Sequence, residues 1–391
     1  ALHTLPTPCY LLDEGALRRN AALLGALAQR TGCKILLAQK AFSNYDLYPL
    51  LAPHLAGTEA SGLYEARLGA EEMPDGEVHV FCAAYRDDEM DELLRYADHI
   101  VFNSPAQLAK FGAKVKAAGK SVGLRINPEC STQDGHAIYD PCAPGSRLGT
   151  TRAAWDAAVA QDPTLPQLLD GLHFHTLCEQ DADALAVTLD AVAEKFGDIL
   201  PKMQWVNFGG GHHITRPGYA VETLEHCIAR AQNAWGVTVY LEPGEACALN
   251  AGYLLTRVLD VVQNGGTTVA ILDASAACHM PLFIIYYLNK NQRSAVQSAA
   301  ICRTLSKCPT ARRCCLPGTP GKSPAPCAWR DRPAWRGMSS GITALTPYPV
   351  RGICWCSAIW RSTPSARTTP LTGCPCPPSV SATKRAACGS W

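Results

Sequence analysis

Four short motifs of this chain contain residue types that can do chemistry, and each follows a short apolar run. They contain a lysine, two histidines, a glycine triplet and two glutamates, namely Lys40, His173 and His175, Gly209, Gly210 and Gly211, and Glu242 and Glu245. A lysine amine can form an imine, glycine N–H groups can approach a phosphate closely, and a carboxylate can hold a proton on a ring nitrogen. Each motif alone is weak evidence, because such lysines are usually solvated, such glycines are usually tight turns, and such histidines are commonly structural.

The apolar runs that precede these motifs recur with the rhythm of alternating strands and helices. There are eight of them, at residues 34–40, 57–61, 78–82, 99–102, 121–127, 169–176, 203–208 and 237–242. Helical patterns lie between them, such as the apolar face of Leu185, Leu189, Val192 and Phe196 that ends at Gly197. This alternation favours a (β/α)8 barrel over residues 13–243 rather than an open doubly wound sheet.

A barrel of this kind brings the four motifs together, because the carboxyl ends of all its strands form one rim. Placed on one rim, these motifs supply the groups that bind pyridoxal 5'-phosphate. Lys40 can hold the aldehyde as an imine, the glycine turn of residues 209–211 can hold the phosphate, and Glu242 can keep the pyridine nitrogen protonated. A histidine ring can pack on the face of the cofactor.

The chain resembles the carboxynorspermidine (carboxyspermidine) decarboxylase family, in the fold-type-III, alanine-racemase-like group of pyridoxal phosphate enzymes. The resemblance covers essentially all of residues 1–281. It rests on the segments TPCY (7–10), LAQKAF (37–42), EASGLYE (59–65), RINPE (125–129), LHFHTLCE (172–179), NFGGGHH (207–213), LEPGEA (241–246) and LDASAACHMP (272–281).

The resemblance implies a role for each candidate residue. Lys40 would carry the cofactor, His175 would stack on its ring, Gly209, Gly210 and Gly211 would hold its phosphate, and Glu242 would face its ring nitrogen. Glu245 and Asp273 would bind the substrate, a carboxylated polyamine with several positive charges. The implied reaction is loss of CO2 from carboxynorspermidine or carboxyspermidine, which gives norspermidine or spermidine, and the implied assembly is a homodimer.

Two alternatives stay open at this point. Ornithine and diaminopimelate decarboxylases belong to the same group, but they typically have arginine where this chain has Glu245. A further alternative is a non-catalytic barrel that carries the cofactor. The resemblance also implies a β-domain, to which residues 1–12 would contribute a strand and in which residues 244–281 would begin the C-terminal part.

The last 110 residues, 282–391, have a different composition from the rest of the chain. They contain one acidic residue, Asp331, against fifteen lysines and arginines, and they hold ten of the nineteen cysteines. The first 281 residues contain 33 acidic and 20 basic residues. The overall net charge of +1 is therefore a cancellation and says nothing about partners.

A change of reading frame explains this tail better than a natural domain does. With synonymous codons chosen freely, residues 303–315, 327–346 and 352–376 can be read one base over as family-like text, including the motif G-P-S-C-L-A-G-D, whereas residues 282–302 match in neither frame and suggest an insertion. The family's cysteine acid, which a partner subunit supplies, and its phosphate-binding tyrosine are then replaced by Pro333 and Ser362. We therefore expect an aberrant tail of low order, an incomplete β-domain and impaired catalysis.

Other classes of protein are disfavoured. A nucleic-acid-binding tail is the alternative to the frameshift, but its basic residues form no stripe. Neither the cysteine pair at 314–315 nor the one at 354 and 356 has metal-ligand spacing, so no metal is expected. The scattered thiols of the first 281 residues indicate a reducing, cytoplasmic setting. No signal peptide or membrane span is expected either.

Overall fold

The computed structural model describes residues 4–133 and 140–279 and three short later strands, at 327–329, 353–357 and 379–380. In chain order the strands are β1 (Cys9–Leu12), β2 (Lys34–Ala38), β3 (Gly57–Ala60), β4 (Glu77–Phe81), β5 (His99–Phe102), β6 (Ser121–Arg125), β7 (Gly171–His173), β8 (Trp205–Asn207), β9 (Thr238–Leu241), β10 (Gly252–Asn264), β11 (Thr267–Leu272), β12 (Cys327–Trp329), β13 (Ile353–Ser357) and β14 (Ser379–Val380). The helices are α1 (Glu14–Thr31), α2 (Tyr48–Leu51), α3 (Leu63–Glu72), α4 (Met90–Tyr96), α5 (Pro105–Ala117), α6 (Arg152–Gln161), α7 (Leu165–Leu168), α8 (Ala182–Phe196), α9 (Val221–Trp235), α10 (Glu245–Ala248) and α11 (Ala276–His279). Three 3-10 turns lie at Tyr45–Leu47, Ala52–His54 and Leu200–Lys202.

Strands β2 to β9 form a closed parallel barrel, in which β2 also pairs with β9. The predicted (β/α)8 barrel is therefore confirmed, and each of the eight predicted apolar runs contains or overlaps one barrel strand. The strands end earlier than predicted. Lys40 lies two residues beyond β2, where Ala41 N donates to Ala38 O in a turn, and His175 lies two residues beyond β7. The chain bends away from the sheet at these points, which turns both side chains toward the mouth of the barrel.

The helices around the barrel follow from their sequences. In α8, the side chain of Asp181 accepts a hydrogen bond from Ala182 N at the first turn, and the predicted apolar face is buried. Helix α9 ends at Gly236, whose φ of 68° is the left-handed conformation that glycine adopts at little cost. The helices thereby cover the outside of the strands with apolar side chains.

The amino-terminal end of the barrel is filled by side chains. The indole of Trp205 occupies the interior so closely that a Cβ on Gly171 would lie 2.1 Å from its ring. Below it, the Glu77 carboxylate accepts hydrogen bonds from Lys34 and from Tyr240 Oη and contacts His79. Burial alone would raise the pKa of Glu77, but these three neighbours outweigh it and hold that pKa well below its usual range. This end of the barrel is therefore closed by packed and charge-paired side chains. In barrels of this kind the active site lies at the opposite, carboxyl-terminal end of the strands.

The chain divides into two compact units. One contains the barrel and its helices, Glu14–Leu249. In the other, β1 pairs antiparallel with β10, and β10 pairs antiparallel with β11 and β13. Strand β12 lies parallel to β11, and β14 lies parallel to β1. Apart from these three short strands, the predicted aberrant tail of 282–391 lies outside the described residues. Within the described part of the chain, no helix has the length and apolar character that crossing a membrane requires.

Candidate active site

Lys40 forms an ion pair with Glu59 at the mouth of the barrel. Its Nζ lies 3.0 Å from Glu59 Oε2, and Glu59 is buried in β3, one strand away from the lysine. Burial acts to lower the pKa of Lys40, but the carboxylates of Glu59 and Glu242 outweigh it and raise that pKa. Lys40 is therefore a cation at neutral pH. Burial, and after it the charge of Glu242, raises the pKa of Glu59 to about 7 although Lys40 acts to lower it.

Glu242 is held by two neighbouring strands. His173 Nε2 lies 3.1 Å from Glu242 Oε2, and Asn207 Nδ2 donates to Glu242 Oε1 at 2.6 Å. His173 and Asn207 are paired residues at the ends of β7 and β8, so the barrel register places both beside this carboxylate. Glu242 is only 3 % exposed. Burial acts to raise its pKa, but His173 and then Lys40 outweigh burial and keep that pKa well below its usual range. Glu242 is thus an ionised, oriented carboxylate.

His175 is a neutral ring in the same cluster. Burial lowers its pKa well below the usual range, and the charges of Lys40 and Arg125 lower it further. Its backbone oxygen accepts a hydrogen bond from Arg125 Nη2 at 3.1 Å. A neutral imidazole has two flat apolar faces, which suits the predicted stacking on an aromatic ring.

The glycine turn of residues 209–211 packs against His175 and Glu242. A Cβ on Gly209 would lie 2.6 Å from His175 Cβ, and one on Gly210 would lie 2.5 Å from Glu242 O. Gly209 and Gly211 have φ of +71° and +82°, a region that residues with a side chain rarely adopt. Gly209 N donates to Asn207 Oδ1 at 2.8 Å. Close packing and backbone conformation therefore both require glycine here.

Arg125 adds a buried cation to the cluster. Its guanidinium lies 4.5 Å from the centre of the Phe81 ring. Burial lowers its pKa to about 10, although the charge of Glu242 acts in the opposite direction. Arg125 is the last residue of β6 and is paired with His173 in the barrel register. Arg125 therefore lies beside His173, which holds Glu242, and donates a hydrogen bond to the backbone of His175.

The two predicted substrate residues lie in different units. Glu245 begins α10 in the barrel unit, and its Oε2 lies 3.1 Å from His213 Nε2. Asp273 belongs to the other unit, where its Oδ1 accepts hydrogen bonds from Thr256 Oγ1 at 2.6 Å and Arg257 N at 2.8 Å. The role of Asp273 in substrate binding stays a prediction.

Comparison with known proteins identifies the family. No family model matches the chain. A carboxynorspermidine/carboxyspermidine decarboxylase of Campylobacter jejuni is 42 % identical over 281 residues, which are 72 % of this chain and 71 % of that protein. The chain belongs to the carboxynorspermidine/carboxyspermidine decarboxylase family. A carboxyaminopropylagmatine decarboxylase of Synechocystis is 39 % identical over 281 residues, 72 % of this chain and 70 % of that protein.

Solved structures agree with this membership. Carboxynorspermidine decarboxylase from Campylobacter jejuni, complexed with norspermidine, superposes with a TM-score of 0.65 at 40 % identity, over 72 % of this chain and 71 % of that one. A diaminopimelate decarboxylase from Helicobacter pylori has a TM-score of 0.67 over 92 % of this chain and 88 % of that one, at 16 % identity. The second likeness shows only a shared fold.

For this member of the decarboxylase family, the structure adds partners that sequence reasoning missed. Glu59, Arg125 and Asn207 are buried and contact Lys40, His175 and Glu242, respectively. A signal was present, since a charged residue within or at the end of a buried strand is usually paired or functional. The sequence did not show which partner each residue would contact.

The Glu59 contact leads to a prediction about pH. Glu59→Gln removes a charge that raises the pKa of Lys40, so we expect that pKa to fall. Only the neutral amine attacks an aldehyde. The rise of the attachment rate with pH should therefore move to lower pH, measured as absorbance growth after mixing with pyridoxal phosphate. The exposed Glu194→Gln serves as the control. An unchanged profile for Glu59→Gln would show that Glu59 does not control the charge of Lys40.

Proposed function

We propose that this chain binds pyridoxal phosphate through Lys40 and descends from enzymes that decarboxylate carboxynorspermidine or carboxyspermidine to norspermidine or spermidine. The observation that carries the proposal is the cluster at one barrel mouth, where the Lys40 amine lies 3.0 Å from Glu59 and the buried carboxylate of Glu242 is held by His173 and Asn207. The charges of Lys40 and Glu242 act on each other's pKa, raising that of Lys40 and lowering that of Glu242. Family membership supplies the substrate class.

The residues present fit the cofactor. Lys40 would hold its aldehyde carbon, and Glu242 would hold a proton at its ring nitrogen, oriented by His173 and Asn207. His175 would cover one face of the ring. Because Gly209 N–H already donates to Asn207, the phosphate would rest on the N–H groups of Gly210 and Gly211, while Gly209 allows the close approach. When bound, the cofactor supplies a ring that accepts the electron pair left as the bond to CO2 breaks.

Charge placement supports decarboxylation in this pocket. The low pKa of Glu242 keeps that carboxylate ionised, so it can stabilise positive charge at the ring nitrogen. Glu59 is the second acid beside Lys40 and accepts a hydrogen bond from its amine, so it can hold the lysine when the substrate amine takes its place. Burial of Glu59 and Glu242 excludes water from their carboxylates and strengthens their interactions.

We propose that catalysis is impaired in this chain, because the segment after residue 281 lacks the family's cysteine acid and phosphate-binding tyrosine. A homodimer and a cytoplasmic location also remain proposals. The nine cysteines of residues 1–281 are all free thiols, which supports a reducing setting.

A substrate panel tests this function. CO2 release should be measured for the chain and for a restored version, from which residues 282–302 are removed and whose gene continues after them in the neighbouring reading frame. The substrates are carboxynorspermidine, carboxyspermidine, carboxyaminopropylagmatine, diaminopimelate and ornithine. We expect the restored version to act on the carboxylated polyamines at least ~100-fold faster than the chain does, since a positioned acid contributes about that much.

The other outcomes discriminate between functions. Release of CO2 from diaminopimelate or ornithine alone would contradict the proposed substrate class. Cofactor binding without CO2 release from any substrate by the restored version would instead favour a non-catalytic cofactor-binding barrel.

A further inference from the structure

A second polar cluster lies in the barrel unit beside the glycine turn. It consists of Glu179, His213 and Glu245, whose nitrogen and carboxylate oxygen atoms lie within 4.8 Å of one another. Glu179 follows β7, His213 follows the glycine turn, and Glu245 lies three residues after Glu242. Glu179 and His213 therefore lie in loops and Glu245 at the start of α10, and all three follow barrel strands on the same rim as Lys40.

Glu245 presents a buried oxygen that lacks a donor. Its side chain is 10 % exposed, and its Oε2 lies within hydrogen-bond distance of His213 Nε2, at 3.1 Å. Its Oε1 has no hydrogen-bond partner among the described residues. A buried carboxylate oxygen without a donor is costly, so a site of this kind is completed by a ligand with N–H groups or positive charge.

The loop that carries Glu179 is tied to the glycine turn by backbone contacts. Gln180 N donates to Gly211 O at 3.0 Å, and His213 N donates to Gln180 O at 3.2 Å. Gly211 approaches so closely that a Cβ there would lie 2.1 Å from Leu177 O. Glu179 itself has a φ of +55°. These contacts hold its carboxylate beside His213 and Glu245 instead of leaving it on a free loop.

We infer that Glu179 and Glu245 together bind one ammonium group of a polyamine, with His213 as the positioning residue that orients Glu245. The inference rests on the proposed function and extends it by assigning Glu179 and His213 to the substrate side chain. Carboxylates only accept hydrogen bonds, whereas a primary or secondary ammonium carries two or three N–H donors and a positive charge.

An ammonium fits this cluster better than a divalent metal ion does. An ionised carboxylate only accepts hydrogen bonds, so the 3.1 Å contact between His213 Nε2 and Glu245 Oε2 assigns the ring proton of His213 to Nε2, and that nitrogen then has no lone pair for a metal. Glu245 Oε1 then remains as an acceptor for the ligand, and the carboxylate of Glu179 lies beside it. Two acids facing one site attract a cation from solution and favour a polycation over a monoamine.

Calorimetric titration with norspermidine tests the inference, on the chain with and without added pyridoxal phosphate. We expect Glu179→Gln and Glu245→Gln each to weaken norspermidine binding at least ~10-fold, because a hydrogen bond to a charged group contributes about 1.5–3 kcal/mol. Glu194→Gln, an exposed carboxylate on α8, should bind within about twofold of the parent chain. Propylamine, which has one amine, should bind much more weakly than norspermidine to the parent chain.

Each result has a consequence. Norspermidine affinity that stays within about twofold in Glu179→Gln, or no detectable binding to the parent chain, overturns the inference. So does one-to-one binding of Mn2+ or Zn2+ that is lost in Glu179→Gln while norspermidine binding is unchanged. Glutamate-dependent norspermidine binding by a chain that never attaches pyridoxal phosphate would support the inference and refute the proposed function. Attachment of pyridoxal phosphate by a chain that shows no glutamate-dependent norspermidine binding would refute the inference and leave the proposed function intact. Unfolding curves of each variant establish that the fold is intact.

Discussion

Replacing Lys40 with alanine is expected to abolish the covalent attachment of pyridoxal phosphate. Lys40 Nζ lies 3.0 Å from Glu59 Oε2, and the charge of Glu242 helps to raise its pKa. Lys40 is therefore the amine that interacts with both buried acids of the barrel mouth. Without it, the described residues of this cluster offer the aldehyde no other lysine amine. The measurement is the visible absorbance of the attached cofactor, followed by borohydride reduction and peptide mapping, which should label the peptide that contains Lys40.

Two further variants separate chemistry from structure in that experiment. Lys40→Arg keeps a cation for Glu59 but cannot form the covalent bond, so it should also lose the absorbance while the chain stays folded. Lys114→Ala changes a half-exposed lysine that pairs with Asp91 on the outer surface and should keep the absorbance. Label on a lysine other than Lys40 would refute the assignment of the site.

Replacing Gly211 with alanine is expected to destabilise the barrel unit strongly. A Cβ there would lie 2.1 Å from Leu177 O, and backbone atoms cannot move aside without disturbing the loop after β7. Gly218 offers a matched control, because its φ of +81° is nearly that of Gly211 at +82° but nothing lies within 4 Å of a Cβ built on it. The two positions share the conformational cost and differ in the steric one.

The expected values follow from that difference. Gly218→Ala should lower the free energy of unfolding by about 1–2 kcal/mol, the cost of the left-handed conformation for a residue with a Cβ. Gly211→Ala should lower it by about 2–5 kcal/mol, since crowding adds about 1–3 kcal/mol to the same conformational cost. Urea denaturation of the purified variants measures both. Equal losses would show that Gly211 is needed only for its backbone angles, and the close contact with the loop of Glu179 would then carry no weight.

Local sequence patterns were enough to predict the barrel. Apolar runs of strand length and helical faces such as that of α8 depend on neighbours within a few residues, and such periodicities survive without knowledge of the fold. The rule that strand ends share a rim then placed Lys40, Glu242 and the glycine turn together. The strand ends were predicted too late in the chain, because apolar residues continue past Ala38 and His173, the last residues of β2 and β7, where the backbone already turns.

The contacts between strands could not be predicted in this way. His173 meets Glu242, and Lys40 meets Glu59, because of the register and closure of the barrel, which join residues 69 and 19 positions apart. The effect of burial on charge also depends on closure. Burial and the neighbouring Lys40 and Arg125 lower the pKa of His175, and Lys40 acquires two acidic neighbours only when the strands meet.

The sequence by itself therefore determined the family, through the resemblance of its motifs, and the barrel and the set of groups that would meet at its mouth, since strand and helix periodicity and the glycine-rich turn are local properties of the chain. Only the tertiary structure decided which of those groups contact one another, which of them carry charge, and that Glu179 stands beside Glu245. The physical reason is that hydrogen bonding and desolvation act over a few ångströms in space, and distance along the chain does not specify them.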